Sequence, residues 1–374
     1  MSRKLLDKIS AIIAQEAYEA NWVAPLLDGL SAFILSASRY LLSPFAGAAG
    51  IAEMRAKFYA FRCFRNPDAW TERTHCQLHD WPQCVKASQA HDSYTSIWLL
   101  EGCATRLIDS HIRKNRDLPW LADSAAQKEM VAASLLALHT GAGMSLAKFA
   151  LSRCSAGATM PLLSAVIEEF LAVANERTLP NYRDCMVEPL GLVVRTLYPQ
   201  WMSLISRLLS ASSHEDCALF WHGSGRGLYF SPLQIVPSRR LRYWTLDEAV
   251  SDAPADHMRA NLISGFFWAM TLVNIRHPEV LPYFLGGRSM EHWKPHATAI
   301  SDGVSAALLV WHYLTGDTAV IEHFLGHLPS RAQMGLERFW EDQMVSFSRR
   351  RFVQANQRLH RDDRIGDIFQ FQKP

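Results

Sequence analysis

The sequence has no long apolar run, and this absence bears on whether the chain enters a membrane. No stretch of 18 residues is both apolar and free of charge; the nearest, Leu30 to Met54, is interrupted by Arg39 and Glu53. A transmembrane helix needs about 20 consecutive, mostly apolar residues. The segment therefore predicts buried helices, and we expect no membrane span.

A charge imbalance and a cysteine framework are also missing. The 374 residues include 38 Lys and Arg against 36 Asp and Glu, for a net charge of +2. A dedicated nucleic-acid binder needs a concentrated basic face. The seven cysteines are odd in number and widely spread, which favours buried thiols in a reducing compartment over disulfides. We expect a cytoplasmic protein with no nucleic-acid partner.

Nucleotide-binding motifs are absent as well. The glycine-rich stretch Gly223–Gly227 is not followed by the Lys-Ser/Thr pair of a P-loop. It also lacks a serine at its centre with a helix after it, which a nucleophile elbow would need. No protein-kinase motif set and no dinucleotide-binding fingerprint occurs. The sequence therefore predicts no cofactor.

Helical periodicity dominates what is present. Alternating patterns are scarce, and only Leu228 to Ile235 and Arg240 to Leu246 could form short strands or extended loops. Apolar residues recur at helical spacings in five segments, which are Leu5 to Tyr18, Ala125 to Ser152, Met160 to Ala174, Val187 to Leu209 and His257 to Ile275. The predicted fold class is all-α, with few or no strands.

One local pattern occurs six times. Each copy has an apolar lead-in, a polar residue, a glycine, usually a small residue two positions later and an apolar residue five positions later. From Gly102 onward the glycines are 39, 82, 42 and 38 residues apart, so a period of about 40 residues is skipped once. This predicts stacked helix-pair repeats in a solenoid or a closed ring. The residues before the glycines are Asp28, Glu101, Thr140, His222, Ser264 and Asp302.

Two interpretations of these glycines stay open at this level. The glycine and the small residue after it could form a notch in which a neighbouring helix backbone approaches closely. A glycine inside a helix costs about 0.5–1 kcal/mol relative to alanine, so repeating it suggests a recurring contact. Alternatively, each glycine marks a helix start capped by a residue such as Asp28, Ser264 or Asp302.

The pattern also suggests how the chain is organised. We expect an N-terminal helical segment over residues 1–92, a glycine-motif repeat domain over 93–345 and a basic C-terminal arm over 346–374. The arm carries Arg349, Arg350 and Arg351, and such a charge run predicts a solvated segment.

The polar residues before the glycines are the first candidates for chemistry. If the repeats wrap around a common axis, Glu101, His222 and Asp302 could share a cavity, and neighbouring charges would tune their pKa values toward acid–base work. Arg226, one helical turn after His222, could hold an anionic or enolate oxygen. In the alternative interpretation these side chains cap or bridge helices within separate repeats.

Candidate substrate contacts lie beside the same pattern. Trp98, Trp221 and Trp268 could line an apolar pocket, although packing in the core would explain them equally. Arg276, at the end of the helix after Gly265, is a further candidate, but a basic residue there is also favoured by the helix dipole.

Two histidine groups were considered as metal sites. Glu72, His75 and His79 would share one face of a helix, but no second half-site completes the ligand set. The pair His323 and His327 lacks the glutamate of the metalloprotease motif. The sequence therefore predicts no metal.

The segment from Trp221 to Phe230 also carries a family resemblance. Together with Leu99–Gly102 upstream and Arg259–Gly265 downstream, it resembles an uncharacterised bacterial family encoded in enediyne polyketide gene clusters. The likeness covers roughly residues 97–309 and implies a role in specialised-metabolite assembly. It supplies no catalytic residues to carry over.

Two functions follow from these observations. In the first, the chain binds or transforms a hydrophobic, polyketide-type small molecule, with Glu101, His222, Arg226 and Asp302 as an acid–base set. In the second, it is a non-catalytic helical-repeat scaffold that docks a partner protein. The sequence alone does not decide whether the protein is an enzyme.

Overall fold

The computed structural model describes residues 43–67, 81–89, 91–114, 132–154, 158–235, 238–329, 336–362 and 365–369. Within these ranges the regular structure is helical and no strand is found, so the all-α prediction is confirmed. Three predictions lie outside the described residues: the helix Leu5 to Tyr18, the glycine copy at Asp28, and the group Glu72, His75 and His79.

The helices follow one another with short connections. A π-helical turn spans Trp340–Val345, and 3₁₀ turns span Pro180–Tyr182, Pro199–Trp201, Lys294–His296 and Ile365–Phe369. In chain order the described α-helices are α1 (Ser43–Arg65), α2 (Trp81–Gln89), α3 (Ser93–Arg113), α4 (Ala132–Ser152), α5 (Met160–Arg177), α6 (Arg183–Val187), α7 (Pro189–Leu197), α8 (Met202–Ser212), α9 (His214–Tyr229), α10 (Pro232–Ile235), α11 (Arg239–Asp252), α12 (Asp256–Val273), α13 (Val280–Leu285), α14 (Met290–Trp293), α15 (Ala297–Thr315), α16 (Thr318–Leu325), α17 (Leu336–Phe339) and α18 (Ser346–Asp362).

Local sequence signals explain where several helices begin. The Asp92 carboxylate accepts hydrogen bonds from the first-turn amides of α3, and the Ser213 hydroxyl accepts one from the Asp216 amide in α9. Such caps satisfy amides that have no partner within the helix. Helix α15 ends at Gly316, which adopts a left-handed conformation with φ 67°. Glycine tolerates this conformation best.

Both strand candidates are helical, so that part of the prediction is wrong. Residues 228–235 form the end of α9 and the short helix α10, which begins at Pro232. Residues 240–246 lie within α11, whose first turn is capped by Ser238. Proline at a first helical position and serine at a cap favour helix over the weak alternation of apolar residues.

The glycines lie inside helices at points of close backbone approach. A Cβ at Gly265 in α12 would lie 1.9 Å from the carbonyl oxygen of His222 in α9, and one at Gly303 in α15 would lie 2.2 Å from that of Ser264 in α12. These distances leave no room for any side chain. The packing-notch interpretation is therefore confirmed for the five described copies of the pattern, and the same contact with a backbone carbonyl recurs at Gly102, Gly141, Gly143, Gly191, Gly223 and Gly225.

The notched helices pack in sequence order around one core. Helix α3 packs on α4, α4 on α7, α7 on α9, α9 on α12, and α12 on α15. Helix α12 also contacts α1, and α15 contacts α3 and α4. Buried apolar residues from Ala56 to Phe369 form one contiguous cluster. This arrangement directs the residues just before the glycines toward neighbouring helices.

None of the helices in the described ranges is both long enough and apolar enough to cross a bilayer.

Candidate functional site

Five buried residues from four regions of the chain form what we call the His222 cluster. Helix α9 contributes His222 and Arg226, which are four residues apart and so lie on one helix face. Glu188 immediately precedes α7, Glu101 lies within α3 and Trp268 lies within α12. The close helix approaches at the glycines bring these side chains together.

A chain of charge contacts links the cluster. The Nδ1 atom of His222 lies 3.0 Å from Oε1 of Glu188, and both side chains are fully buried. The Nη2 atom of Arg226 lies 3.4 Å from Oε2 of Glu188 and 3.5 Å from Oε1 of Glu101. Arg226 therefore stands between two carboxylates, and Glu188 connects it to the imidazole.

The Trp268 ring covers both side chains from α9. Its centroid lies 5.9 Å from the His222 ring in an edge-on arrangement and 5.7 Å from Cζ of Arg226. A guanidinium at this distance from an indole is within cation–π range. The indole thus adds an aromatic wall to an otherwise charged site.

Several polar atoms of the cluster find no hydrogen-bond partner among the described residues. They are His222 Nε2, Trp268 Nε1, Glu188 Oε2, and Nε and Nη2 of Arg226. The large majority of buried side-chain polar atoms in proteins are hydrogen-bonded, and each exception costs about 1–3 kcal/mol. Such a concentration of exceptions is typical of a place where a ligand or water binds.

Burial sets the protonation of the two groups that could exchange protons. It raises the pKa of Glu101 to about 7, with the negative Glu188 adding to the shift and Arg226 opposing it. It lowers the pKa of His222, although Glu188 pulls in the opposite direction. Near neutral pH the cluster therefore contains a substantially protonated carboxyl group beside a neutral imidazole.

The hydrogen bond to Glu188 also determines the imidazole tautomer. With the Glu188 carboxylate as acceptor, Nδ1 of His222 carries the proton and donates it to Oε1 over 3.0 Å. This leaves Nε2 unprotonated, and it is the atom without a partner. A neutral imidazole with one nitrogen held and the other free is the arrangement that a general base requires.

The fourth predicted acid–base residue, Asp302, lies in an adjoining contact. The Ser264 hydroxyl donates to Oδ2 of Asp302 over 2.8 Å, and Arg351 from α18 forms an ion pair with the same carboxylate. The positive charge of Arg351 also contributes to lowering the pKa of His222. The structure therefore joins Arg226 to Glu101 directly and to His222 through Glu188, while Asp302 is joined to Ser264.

The described part of the C-terminal arm is solvated at Arg349 and Arg350, as expected, but not at Arg351 or in the turn Ile365–Phe369, where the expectation is corrected. Arg351 reaches inward to Asp302, and Phe369 is fully buried. The Phe369 ring lies 5.7 Å from the His222 ring and 5.7 Å from the Trp268 ring. The arm thus supplies an aromatic wall to the cluster, which its charged composition did not indicate.

The other predicted substrate contacts lie in different surroundings. Trp98 packs against Tyr94 and Phe230. The indole of Trp221 donates a hydrogen bond to the Ser206 hydroxyl, 3.0 Å away.

Arg276 is 45% exposed and forms an ion pair with Asp92 over 2.7 Å. Asp92 caps the start of α3, two and a half helical turns before Glu101, so about 13 Å separates Asp92 from Glu101 along the helix.

The hydroxyl of Thr140, another residue that precedes a glycine, donates a hydrogen bond to the Leu136 carbonyl of its own helix.

Glu188 is the functional candidate that sequence reasoning missed. Its carbonyl oxygen faces Gly223, in the way that the Ser264 carbonyl faces Gly303. The helix after it, α7, carries Gly191, which packs against the Phe220 carbonyl of α9. Gly191 falls within the 82-residue gap in the glycine spacing. Glu188 lies three residues before Gly191, so it does not fit the pattern of a polar residue directly before a glycine.

A second set of buried charges, which we call the Glu53 cluster, is fully hydrogen-bonded. Arg242 donates from both terminal nitrogens to the Glu53 carboxylate, at 2.7 and 2.5 Å, and from Nε to the Gln234 side chain at 3.2 Å. Lys57 lies 3.2 Å from Glu53 and donates to the Gln234 carbonyl at 3.0 Å. Gln234 donates in turn to the Thr245 hydroxyl. The cluster ties α1 to α10 and α11.

Within the described ranges, no group of three His, Cys, Asp or Glu residues is placed to hold a metal ion. Of the histidine pair considered from the sequence, His323 is exposed and His327 is partly buried.

Comparison with known proteins gives no relative: no family model, no curated protein and no solved structure matches the chain.

Proposed function

We propose that the protein binds a hydrophobic metabolic intermediate and transforms it by proton transfer at the His222 cluster. The observation that carries this proposal is the set of buried polar atoms of Glu188, His222, Arg226 and Trp268 that lack hydrogen-bond partners in the described chain. Strongly perturbed titratable groups collected in one place are typical of active sites.

Each residue has a role that follows from its surroundings. His222 accepts a proton at Nε2, while Glu188 holds its tautomer and stabilises the imidazolium that forms. Arg226 and Trp268 donate N–H groups to an oxygen on which negative charge develops. Glu101, whose pKa is about 7, returns a proton. This set suits the enolisation of a carbonyl compound.

The metabolic setting of the proposal comes from the resemblance to the family encoded in enediyne polyketide clusters. It implies a polyketide-type substrate and a bacterial, cytoplasmic enzyme of specialised metabolism. The aromatic wall of Trp268 and Phe369 agrees with a conjugated substrate.

The architecture proposed with it is a closed ring of repeated glycine-notched helices. Helices α7, α9, α12 and α15 would be successive copies of one packing unit. The contacts of α12 with α1, and of α15 with α3 and α4, would close the ring. In such a ring the residues next to the glycines converge on the interior.

The test is a pair of matched histidine variants. His222 and His139 are both fully buried, and each has an Nε2 atom without a described partner, but His139 lies on α4 and stacks on Tyr182 instead. The producing bacterium would carry His222→Ala or His139→Ala in place of the wild-type gene. Its metabolites would be profiled by liquid chromatography and mass spectrometry, and the Tm of each purified variant would be measured.

We expect His222→Ala to abolish the product and to accumulate its precursor at an unchanged protein level and a similar Tm. His139→Ala should retain the product. Loss of product in both variants, in proportion to the folded protein that each loses, would mean that the cluster is structural.

A further inference from the structure

The C-terminal turn places one aromatic side chain against the reactive part of the His222 cluster. Phe369 has no exposed surface, and its ring contacts the rings of His222 and Trp268. These are the two rings whose nitrogen atoms, Nε2 and Nε1, lack hydrogen-bond partners in the described chain. A phenyl ring cannot satisfy either atom, so its packing there is apolar only.

The turn that carries Phe369 packs against α6, α9, α15 and the 3₁₀ turn Pro180–Tyr182. Ile365 and Ile368 are buried, and Gly366 packs so closely on the Asp184 carboxylate that a Cβ would collide with it. Arg351, earlier in the same arm, pairs with Asp302. The glycine contacts among α7, α9, α12 and α15 do not involve this turn.

We propose that the segment Ile365–Phe369 is an internal plug, and that Phe369 occupies the subsite which the ligand's own planar apolar group fills. The ligand class is a compound with a phenyl-sized or conjugated planar group next to a carbonyl or carboxylate oxygen. The inference rests on the proposed function only in treating the His222 cluster as a ligand site.

The ligand class follows from what surrounds the ring. The Phe369 ring meets His222 at an interplanar angle of 73° and Trp268 at 55°, which are favourable geometries for a flat aromatic group. In the same cluster, Nη2 of Arg226 makes only ion-pair contacts with Glu188 and Glu101, at 3.4 and 3.5 Å, and Nε of Arg226 and Nε1 of Trp268 are buried donors without acceptors in the described chain. An oxygen atom attached to the ligand's planar group would accept hydrogen bonds from these donors, whereas the phenyl ring of Phe369 has no oxygen to offer.

The experiment measures access to the site without requiring turnover. Binding of 3-phenylpropanoate, which has a phenyl ring and a carboxylate, would be measured by calorimetry on the full chain and on Phe369→Ala. When a plug occupies the site in most molecules, the apparent association constant equals the intrinsic constant multiplied by the fraction of molecules that are open. We expect the variant to bind at least tenfold more tightly than the wild type, because the plug no longer competes.

A second readout is chemical modification of His222 by diethyl pyrocarbonate, located by mass spectrometry. An unprotonated imidazole nitrogen attacks a carbonyl carbon of the reagent and becomes carbethoxylated, so His222 should be protected in the wild type and modified in Phe369→Ala. Phe369→Leu, with a smaller loss of volume, should fall between the two. It replaces the alanine variant if that variant does not fold.

The matched control is Phe324→Ala. Phe324 is also buried and also lies beside a tryptophan, Trp340, with ring centroids 6.4 Å apart. The control removes the same ring from a different part of the core. Equal tightening in the control, or a folded Phe369 variant with unchanged binding and unchanged His222 protection, would overturn the plug.

The two proposals can fail separately. If Phe369→Ala opens the site but His222→Ala leaves the metabolites unchanged, the plug stands and the acid–base function fails. If His222→Ala abolishes the product but Phe369→Ala changes neither binding nor protection, the function stands and the plug fails.

Discussion

The two buried charge clusters use similar residue types in opposite ways. In the Glu53 cluster, Arg242 makes a two-pronged hydrogen bond to one carboxylate and a third bond to Gln234. In the His222 cluster, Arg226 lies 3.4 and 3.5 Å from two carboxylates, and its Nε and Nη2 atoms have no hydrogen-bond partner in the described chain. One cluster is complete by itself, whereas the other leaves polar atoms for something else to satisfy.

The clusters also differ in what their titration does to stability. Burial lowers the pKa of Lys57 in the Glu53 cluster to about 7, and it raises the pKa of Glu101 in the His222 cluster to about 7. The unfolded chain binds more protons at Lys57 above pH 7, so this group makes stability rise with pH there. The folded chain binds more protons at Glu101 between pH 4.5 and 7, so that group makes stability fall with pH.

The largest expected effect comes from removing the arginine of the complete cluster. Arg242→Met leaves Glu53 buried without its main partner, and breaking a buried ion pair in this way costs about 3–5 kcal/mol. Arg226→Met should cost at most about half as much at pH 6, because Glu101 can take up a proton and Glu188 keeps its bond to His222. Urea unfolding of both variants measures the difference. Equal losses would remove the distinction between the clusters.

A smaller effect, with a defined pH dependence, is expected for Glu101→Gln. The folded pKa of Glu101 lies above its ordinary value of 4.5. The burial of this carboxyl group therefore lowers the free energy of unfolding progressively as the pH rises from about 5 to above 7. Glutamine does not titrate, and the variant should gain on the wild type by up to about 3 kcal/mol over this range. Unfolding free energies at pH 5.0 and 7.5 provide the check. A difference between variant and wild type that does not change with pH would contradict the perturbed carboxyl.

The smallest effect separates two buried tryptophans. The indole of Trp293 donates to the Leu285 carbonyl at 2.8 Å, whereas that of Trp268 has no described partner. Both changes to phenylalanine remove similar apolar volume, so Trp293→Phe should cost about 1 kcal/mol more, the net worth of one hydrogen bond. Thermal unfolding compares the two. A larger loss at Trp268 would show that its N–H is satisfied in solution.

The helical class and part of the site could be predicted from the sequence because they depend on local pattern. Apolar spacing indicates helices wherever it is sustained, and glycine repeated at a cost to the helix indicates close contact. The pattern thereby points to Glu101 and His222, the residues before two of the glycines, and these are joined through Arg226 and Glu188.

The parts that could not be predicted depend on contacts between distant segments. Glu53 and Lys57 are four residues apart, a spacing typical of an ion pair on an exposed helix face. In the structure both side chains are buried, and Glu53 pairs with Arg242, 189 residues away in sequence. The basic composition around Arg351 predicts a solvent-exposed side chain, yet Arg351 forms an ion pair with the buried Asp302. Local composition carries no signal for such partners, since only the assembled helices bring them together.

The glycine notches do more than provide space. At Gly265 the hydrogen that replaces a Cβ points at the carbonyl oxygen of His222, because a Cβ there would lie 1.9 Å from it. Each such Cα–H···O contact is worth about 0.5–1 kcal/mol, and eight glycines of the described chain face a backbone carbonyl in this way. The helices are therefore held in register by main-chain atoms, much as strands are in a sheet. Because main-chain atoms make these contacts, the side chain just before a glycine of the described chain can be exchanged without moving the helix frame.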